Sequence, residues 1–304
     1  MTPDLRVSLG RLQLRNPVMV AAGTFGYGLE YREWVDLARL GAVVTKSLTL
    51  VPRVGNPPPR VAETPAGMLH AIGLHNDGVD AFVMETLPLL RVLGATVIAS
   101  IAGETLDEYV QITTTLSGAP GIAALELNLA CPCQPSRGQE WDTHPELTAQ
   151  AVAAVRQATD LPLIAKLSPC SNDLTELAYA AVEAGTDILC LINPPRGVAV
   201  DPQRQRFRLA SKVGNLSGPA IKPIAQYHLW RVRQSLPDIP LIGVGGISST
   251  EDAIEFLLLG AHAVQVGTAN YVQPTLATEI IHGLRDYLSA HGLPSVESIR
   301  GIVE

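Results

Sequence analysis

Residues 241–268, which read LIGVGGISSTEDAIEFLLLGAHAVQVGT, decide the fold. Two short apolar runs, 241–246 and 263–268, flank a segment whose apolar residues recur at helical spacing. The runs are almost continuously apolar, which is typical of parallel strands buried on both faces and unlike the alternation of a half-exposed strand. The stretch therefore predicts a strand, a helix and a second strand parallel to the first.

The same pattern recurs along the rest of the chain. The predicted strands are residues 18–23, 42–47, 96–101, 122–129, 163–168, 187–193, 241–246 and 263–268. Helical connections between them leave a closed barrel or an open, doubly wound sheet as the main alternatives. Eight strands favour a (β/α)₈ TIM barrel, formed by residues 1–304 as a single α/β domain. A two-layer α/β domain with a small cap stays open as an alternative.

Capping residues predict where some of the helices begin. Thr143 and Glu146 have the spacing of a capping box, in which each side chain bonds the backbone N–H of the other. The helix that they open is predicted to extend to Ala158. Asn172 or Asp173 is predicted to open the following helix, because both side chains can accept a hydrogen bond from its first turn.

Two connections are too long to be simple helical crossovers. Residues 48–95 follow the second strand and include the proline-rich run 52–60, and residues 194–222 follow the sixth strand. Long connections in a compact domain are usually functional. We therefore expect the inserted loops after strands 2 and 6 to contribute to a functional site.

The composition is that of a folded protein. The 304 residues are 47% hydrophobic and 17% charged, which supplies enough apolar content for a core.

The net charge is -7 and no basic run occurs, which argues against nucleic acid or an anionic membrane as a partner. Without a long apolar run or a signal-like start, a cytoplasmic protein is expected. The 4 cysteines lack zinc-ligand spacing, so free thiols and no metal site are expected.

The carboxyl ends of the predicted strands are where barrel enzymes carry their chemistry. Gly245, Gly246, Gly267 and Thr268 end the last two strands, where glycine N–H groups commonly hold a phosphate. Taken singly, such glycines more often make tight turns. Their joint placement nevertheless predicts a phosphorylated ligand.

Two lysines and two asparagines also end predicted strands. Lys46 and Lys166 lie in apolar sequence, where an unpaired ammonium is costly, so each is expected to meet an anion or a polarised oxygen. A structural salt bridge and the Schiff-base lysine of an aldolase-type barrel are the alternatives. Asn128 and Asn193 can donate and accept hydrogen bonds at once, which suits a ligand with amide-like edges, although either could simply cap a loop.

A cysteine follows the fourth strand closely. Cys131 lies three residues after Asn128 and beside a proline, just past the strand end. A thiol in such a place can act as a base or a nucleophile. Cysteine is more often a small buried hydrophobe, which is the interpretation kept for Cys170 and Cys190.

Several motifs form a set that spans essentially the whole chain. They are NPVM at 16–19, AGTFG at 22–26, KSLT at 46–49, GNPPPR at 55–60, ETPAGML at 63–69, AKLSP at 165–169, LSGPAIKP at 216–223, GGI at 245–247 and AVQVGTAN at 263–270. In their order and spacing they resemble the class 1B dihydroorotate dehydrogenases. The resemblance implies a barrel that binds FMN and oxidises dihydroorotate to orotate in pyrimidine biosynthesis.

The resemblance also implies roles for individual residues. FMN would be bound by Ala22, Gly23, Lys46, Ser47, Ser100, Asn128, Lys166, Ile192, Gly218, Gly245, Gly246, Gly267 and Thr268. The substrate would be bound by Lys46, His70, Ala71, Ile72, Gly73, Leu74, Asn128, Cys133, Asn193 and Pro194. Cys131 would be the base that takes a proton from the ring carbon next to the one that gives hydride to the flavin.

Partners are implied in the same way. Class 1B relatives pass electrons to NAD through a second subunit that carries FAD and an iron-sulfur cluster. A partner subunit of that kind is therefore expected for this chain, together with a homodimer core.

Some positions depart from the family pattern, most of them where the family binds the pyrimidine. His70 and Cys133 stand where the family has asparagine, and Pro194 stands where it has threonine or serine. Ser100 replaces an asparagine near the flavin. Each lost partner of a buried polar ligand costs roughly 1 to 3 kcal/mol. Two alternatives therefore stay open: an FMN oxidoreductase that acts on another small cyclic amide or carboxylate, and a non-redox barrel lyase that forms a Schiff base with a lysine of the site.

Overall fold

The protein's structure, a computed structural model, describes residues 2–130, 141–171 and 173–303. Within them, eight parallel strands form a closed barrel. In chain order, barrel strands 1 to 8 are Val18–Val20, Ala42–Val44, Val97–Ile101, Ile122–Asn128, Leu163–Leu167, Ile188–Leu191, Leu241–Val244 and Ala263–Val266. Strand 8 pairs with strand 1, which closes the barrel. The predicted (β/α)₈ TIM barrel and its eight strands are confirmed.

Helices surround the barrel and connect its strands. The longer helices of the described residues are Leu106–Ser117, Pro145–Ala158, Leu174–Glu183, Lys222–Ser235, Thr250–Leu258 and Leu276–Ala290. Between strands 2 and 3 a helical segment consists of Val79–Ala81, a π-helical turn at Phe82–Thr86, and Leu87–Val92. Each long helix buries an apolar stripe, which is why its apolar residues recur at helical spacing.

Shorter elements complete the described chain. An antiparallel hairpin pairs Val7–Leu9 with Leu12–Leu14 before the first barrel strand. Single 3₁₀ turns occur at Leu29–Tyr31, Leu37–Arg39, Pro219–Ile221, Thr268–Tyr271 and Val296–Ile299. Two of these turns, Pro219–Ile221 and Thr268–Tyr271, lie at the carboxyl-terminal end of the barrel, beside the site described below.

One predicted helix start is confirmed and another is wrong. Asp173 caps its helix by accepting a hydrogen bond from the backbone N–H of Thr175 at 2.8 Å. The prediction that Thr143 is the N-cap is wrong, because the N-cap is His144 and Pro145 is the first helical residue. Proline is favoured at that position since its φ is already helical and its missing N–H needs no partner.

The two inserted loops meet in one small antiparallel sheet. Val61–Thr64 and Gly67–His70 come from the loop after strand 2, and Arg196–Val198 and Val213–Ser217 come from the loop after strand 6. Gly67–His70 pairs with Val213–Ser217, which joins the two halves. A further hairpin pairs residues 200–201 with 206–207. The predicted insertions after strands 2 and 6 are thus confirmed, and they form a common wall at one end of the barrel.

The interior of the barrel is apolar with a few polar exceptions. One large buried core joins the strands to the helices. Glu126, Lys166 and Gln265 lie among these apolar side chains with 0%, 5% and 0% of their surface exposed. A buried charge is costly unless it is paired, so these three residues require partners.

The described residues contain no candidate membrane helix and no candidate metal site, and they include two free thiols. In residues 2–130, 141–171 and 173–303, no helix combines the length and the apolar character needed to cross a bilayer. The same part of the chain holds no cluster of His, Cys, Asp and Glu side chains that could bind a metal ion. Cys170 and Cys190 are free thiols. The prediction that both are buried is wrong for Cys170, which is exposed in the turn after strand 5.

Candidate active site

A cavity of about 350 Å³ opens at the carboxyl ends of the barrel strands. The inserted antiparallel sheet forms part of its wall through Met68, His70 and Asn215. Active sites of (β/α)₈ barrels lie at this end, because the loops after the strands converge there. The volume falls in the range of roughly 300 to 1,000 Å³ that is common for small-molecule sites.

The predicted site residues that the structure describes all line this one cavity. Those predicted for the cofactor are Ala22, Gly23, Lys46, Ser47, Ser100, Asn128, Lys166, Ile192, Gly218, Gly245, Gly246, Gly267 and Thr268. Those predicted for the substrate alone are His70, Ala71, Ile72, Gly73, Leu74, Asn193 and Pro194. Cys131 and Cys133 lie outside the described residues. Which ligand each residue binds stays a prediction.

Three glycines give the cavity a wall of bare backbone. Gly218, Gly245 and Gly246 have φ angles of +98°, +127° and +77°, which L side chains rarely adopt. A Cβ on Gly246 would lie 2.7 Å from the backbone nitrogen of Lys222, the first residue of a long helix, so no larger side chain fits there without a shift. Exposed backbone N–H groups beside a helix start suit a phosphate. The residues present therefore fit the phosphate of a cofactor such as FMN.

We expect Gly246→Ala to weaken FMN binding at least tenfold. The added methyl group has to displace Lys222, and a non-glycine residue in the left-handed region costs about 1 to 2 kcal/mol. The measurement is the dissociation constant from quenching of FMN fluorescence. Gly292→Ala is the control, because Gly292 has a φ of +66° and no heavy atom lies within 4 Å of the added Cβ. An equal loss of affinity in both variants would contradict the glycine wall as a phosphate site.

A row of hydrogen bonds crosses the cavity from strand 2 to strand 6. The hydroxyls of Ser47 and Ser100 lie 2.9 Å apart, and Nδ2 of Asn128 donates to Oγ of Ser47 at 3.0 Å. Nδ2 of Asn193 donates to Oδ1 of Asn128 at 3.4 Å. In this arrangement no described residue donates a hydrogen bond to Oδ1 of Asn193, which can accept one from a ligand.

Lys46 is held at the side of the cavity by Tyr27 and Asp77. Its Nζ lies 3.6 Å from Oδ2 of Asp77 and 4.2 Å from the centroid of the Tyr27 ring. The Tyr27 hydroxyl accepts a hydrogen bond from the backbone N–H of Asp77 at 3.3 Å, and burial raises the pKa of Tyr27, so its hydroxyl stays neutral. Asp77 is 60% exposed, and a pair so open to water is weak. Lys46 can therefore exchange it for an anionic ligand.

Lys166 is paired inside the barrel with two residues that sequence reasoning missed. Its Nζ donates to Oε1 of Gln265 at 3.2 Å and lies 3.6 Å from Oε1 of Glu126. Nε2 of Gln265 donates to Oε2 of Glu126 at 2.6 Å. A signal was present, because Glu126 and Gln265 interrupt otherwise apolar strands in which an unpaired polar group is costly.

His70 faces the cavity as a neutral imidazole. Burial lowers the pKa of His70 to about 4, so at neutral pH one ring nitrogen donates and the other accepts. An asparagine side chain, which the resembling family has here, offers the same two functions. His70 can therefore replace the hydrogen bonds of an amide.

We expect the free energy of unfolding to fall as the pH falls from 6.5 towards 4. In this window the unfolded chain protonates His70 at its ordinary pKa, whereas the folded chain does so only near pH 4, so the unfolded state binds more protons and is favoured. The contribution of His70 is present above pH 6.5, is lost through this window, and amounts to about 3 kcal/mol. Urea titrations at pH 7 and pH 4.5 measure it.

The variant His70→Asn is expected to reduce this pH dependence. His262, whose pKa burial also lowers to about 4, keeps its own share in every variant. His282→Asn is the control, because His282 is exposed. If His70→Asn lost as much stability between pH 7 and pH 4.5 as the wild-type protein, burial of His70 would not be the cause.

Three further cavity residues are not among those predicted for the site, although two of them, Met68 and Ser217, lie within the motifs at 63–69 and 216–223. Met68, Asn215 and Ser217 reach the cavity because the two inserted loops pair, with His70 opposite Asn215. The hydroxyl of Thr268 donates to Oγ of Ser217 at 2.7 Å, which links the inserted sheet to the end of strand 8. These contacts depend on long-range pairing that local patterns do not reveal.

Comparison with known proteins identifies the family. The family model described as dihydroorotate dehydrogenase matches residues 4–288. The relatives are named dihydroorotate dehydrogenase B (NAD(+)), catalytic subunit. The protein from Geotalea daltonii is 48% identical over 302 residues, 99% of each chain. The one from Trichlorobacter lovleyi is 48% identical over 304 residues, 100% of each chain. The one from Desulforudis audaxviator is 48% identical over 295 residues, 97% of this chain and 96% of its own.

These matches cover the barrel, both inserted loops and every strand end that lines the cavity. They agree with the motifs from which the resemblance was drawn, which also run through the whole chain. The chain therefore belongs to the dihydroorotate dehydrogenase family and, within it, resembles the class 1B catalytic subunits.

Proposed function

We propose that the chain is the catalytic subunit of a class 1B dihydroorotate dehydrogenase, which oxidises dihydroorotate to orotate in pyrimidine biosynthesis. The observation that carries the proposal is a single cavity in which a glycine wall for a phosphate meets a row of amides and hydroxyls and two lysines. Full-length identity of 48% with curated catalytic subunits supports the same reaction. We also propose that residues 1–304 form one domain, because one large core joins strands and helices.

FMN is the proposed cofactor. Its phosphate would be held by the bare backbone of Gly218, Gly245, Gly246 and Gly267 and by the hydroxyl of Thr268. The remaining part of the molecule would lie among Ala22, Gly23, Lys46, Ser47, Ser100, Asn128, Lys166 and Ile192. When bound, FMN supplies the acceptor for the hydride that leaves the substrate.

The cavity also offers partners for dihydroorotate, a cyclic diamide with one carboxylate. Asn128 and Asn193 lie side by side in the hydrogen-bond row, and their amides can donate to and accept from amide edges. The Lys46 ammonium suits the carboxylate, since its pair with Asp77 is exposed and weak. The neutral ring of His70 adds a donor and an acceptor from the inserted sheet.

Cys131 is the proposed base. It directly follows Ala130, which lines the cavity at the end of strand 4. Its thiolate would take the proton of one ring carbon while the neighbouring carbon loses hydride, so the bond between the two carbons becomes double. The substrate would thereby give up one proton to the thiolate and one hydride to FMN, which together make the two-electron oxidation to orotate.

A second candidate is an FMN oxidoreductase with another small cyclic amide or carboxylate as its substrate. It is favoured by Pro194, which lines the cavity without a side-chain hydrogen-bond donor where the family has threonine or serine. A non-redox lyase that forms a Schiff base with Lys166 is not supported. Burial alone would lower the pKa of Lys166, but its neighbours, with Glu126 foremost, together outweigh burial and raise that pKa, so the amine is charged and not nucleophilic.

Partners follow from the same proposal. The relatives are named as catalytic subunits of an NAD(+) enzyme, so a partner subunit for electron transfer is proposed here as well. We propose that this partner carries FAD and an iron-sulfur cluster. A homodimer core and a cytoplasmic location stay predictions.

The purified chain tests the proposal in two steps. Chromatography of the released chromophore identifies the flavin, and oxidation of dihydroorotate with an artificial electron acceptor is followed by the ultraviolet absorbance of orotate. Bound FMN with turnover of dihydroorotate is the expected result. Bound FMN without turnover points to the second candidate, and a chain that cannot be reconstituted with FMN contradicts both.

A further inference from the structure

The buried ion pair inside the barrel is not explained by packing. Lys166 is 5% exposed, and Glu126 and Gln265 are fully buried. Taking two charges out of water costs several kcal/mol per ion, and apolar residues of similar volume are often at least as stable in their place. Glu126 and Lys166 both line the cavity, so their position relative to a ligand is the feature that needs a reason.

Gln265 bridges Glu126 and Lys166, and its amide takes one orientation between them. Nε2 of Gln265 donates to Glu126 at 2.6 Å, which turns Oε1 of Gln265 towards Nζ of Lys166 at 3.2 Å. A flipped amide would place its N–H₂ against the ammonium, so Glu126 fixes the orientation of Gln265. An ammonium has three N–H donors, and the contact with Gln265 takes one of them. The Lys166 head group is thereby held from within the barrel, with donors left for the cavity.

Glu126 supplies the negative charge that Lys166 faces. It is the one carboxylate among the cavity-lining residues in the described part of the chain, and its Oε1 lies 3.6 Å from Nζ with no hydrogen-bond partner in that part. Cys190, opposite Lys166 on strand 6, stays a neutral thiol because burial raises its pKa. Burial alone would lower the pKa of Lys166, and the charge of Glu126 is the largest of the influences that oppose burial and together raise this pKa.

We propose that Glu126, acting directly and through Gln265, is a positioning residue that keeps the Lys166 ammonium charged and aimed at the cofactor. The inference rests on the proposed binding of FMN in this cavity. Without Glu126, burial dominates and lowers the pKa of Lys166, so the ammonium loses its proton more readily. The attraction between Lys166 and the bound cofactor then depends on pH, which it does not in the wild-type protein.

The test is the FMN dissociation constant of Glu126→Gln from pH 6 to pH 9, expressed at each pH as a ratio to that of the wild-type protein. The ratio cancels the titration of FMN itself. We expect it to rise at least tenfold across this range as Lys166 deprotonates. A ratio that stays constant with pH overturns the proposal. Glu104→Gln is the matched control, because Glu104 pairs with Arg53 at 2.9 Å and does not line the cavity; its ratio is expected near one throughout.

A second variant keeps the proposal falsifiable if Glu126→Gln does not fold. Gln265→Met removes the linking amide at similar size but leaves Glu126 beside Lys166, so we expect FMN binding to weaken about threefold or more without a new pH dependence. Wild-type affinity in Gln265→Met overturns the positioning role. Wild-type protein that binds no FMN at any pH contradicts the proposed function instead, which distinguishes the two failures.

Discussion

Cys131→Ala is expected to lower the rate of flavin reduction by dihydroorotate about 10² to 10⁴-fold, the range that a positioned general base contributes. FMN affinity is expected to stay unchanged, because the residues proposed to hold FMN are other residues. In the wild-type protein the rate is expected to rise with pH, since only the thiolate accepts the proton and a free thiol has a pKa of about 8.5. Stopped-flow absorbance at a series of pH values measures both effects.

The matched control for this variant is Cys170→Ala. Cys170 is an exposed free thiol in the turn after strand 5, so its loss is expected to leave the rate and the pH profile as they are. A Cys131→Ala protein that is reduced at the wild-type rate, with the wild-type pH profile, would show that another group removes the proton.

Lys166→Met is expected to lower the free energy of unfolding of the FMN-free protein by about 3 to 5 kcal/mol. The reason is that the fully buried carboxyl group of Glu126 loses the cation with which it pairs. Methionine has a similar length, so little of the loss comes from an empty volume. Urea unfolding at pH 7 measures the change.

The double variant Lys166→Met/Glu126→Leu is expected to recover most of that stability. Apolar residues in place of both charges are often neutral or stabilising, so the two substitutions should be strongly non-additive. Arg53→Met is the control, because it breaks a pair with Glu104 that is partly exposed and worth about 0.2 to 1 kcal/mol. Equal losses in Lys166→Met and Arg53→Met would contradict the account of the buried pair.

The barrel could be predicted because its strands are buried on both faces. Strand 5, Leu163–Leu167, has every residue buried, so its run is apolar apart from Lys166, shows no alternation and stands out from the helices around it. The residues at the strand ends could be predicted because they are polar and stand out against the apolar runs. Asn128 and Lys166 are polar residues at the ends of apolar runs, and the parallel arrangement brings all such ends to one side.

Contacts between distant segments could not be predicted in the same way. The pairing of Gly67–His70 with Val213–Ser217 depends on two loops that lie far apart in the sequence and carry no shared pattern. Glu126 and Gln265 interrupt apolar strands visibly, but nothing local shows that they meet each other. The start of the helix Pro145–Ala158 shows that local signals can also compete. The spacing of Thr143 and Glu146 predicts an N-cap at Thr143, whereas Pro145 as the first helical residue predicts one at His144. The structure has the N-cap at His144.

The most direct test of the account is an anaerobic stopped-flow experiment in which the purified protein with bound FMN is mixed with dihydroorotate. The account predicts rapid bleaching of the visible flavin band, which would show that a chain with His70 and Pro194 in its cavity oxidises this substrate. A flavin band that dithionite bleaches but dihydroorotate leaves unchanged would contradict dihydroorotate as the substrate and leave an FMN oxidoreductase with a different one.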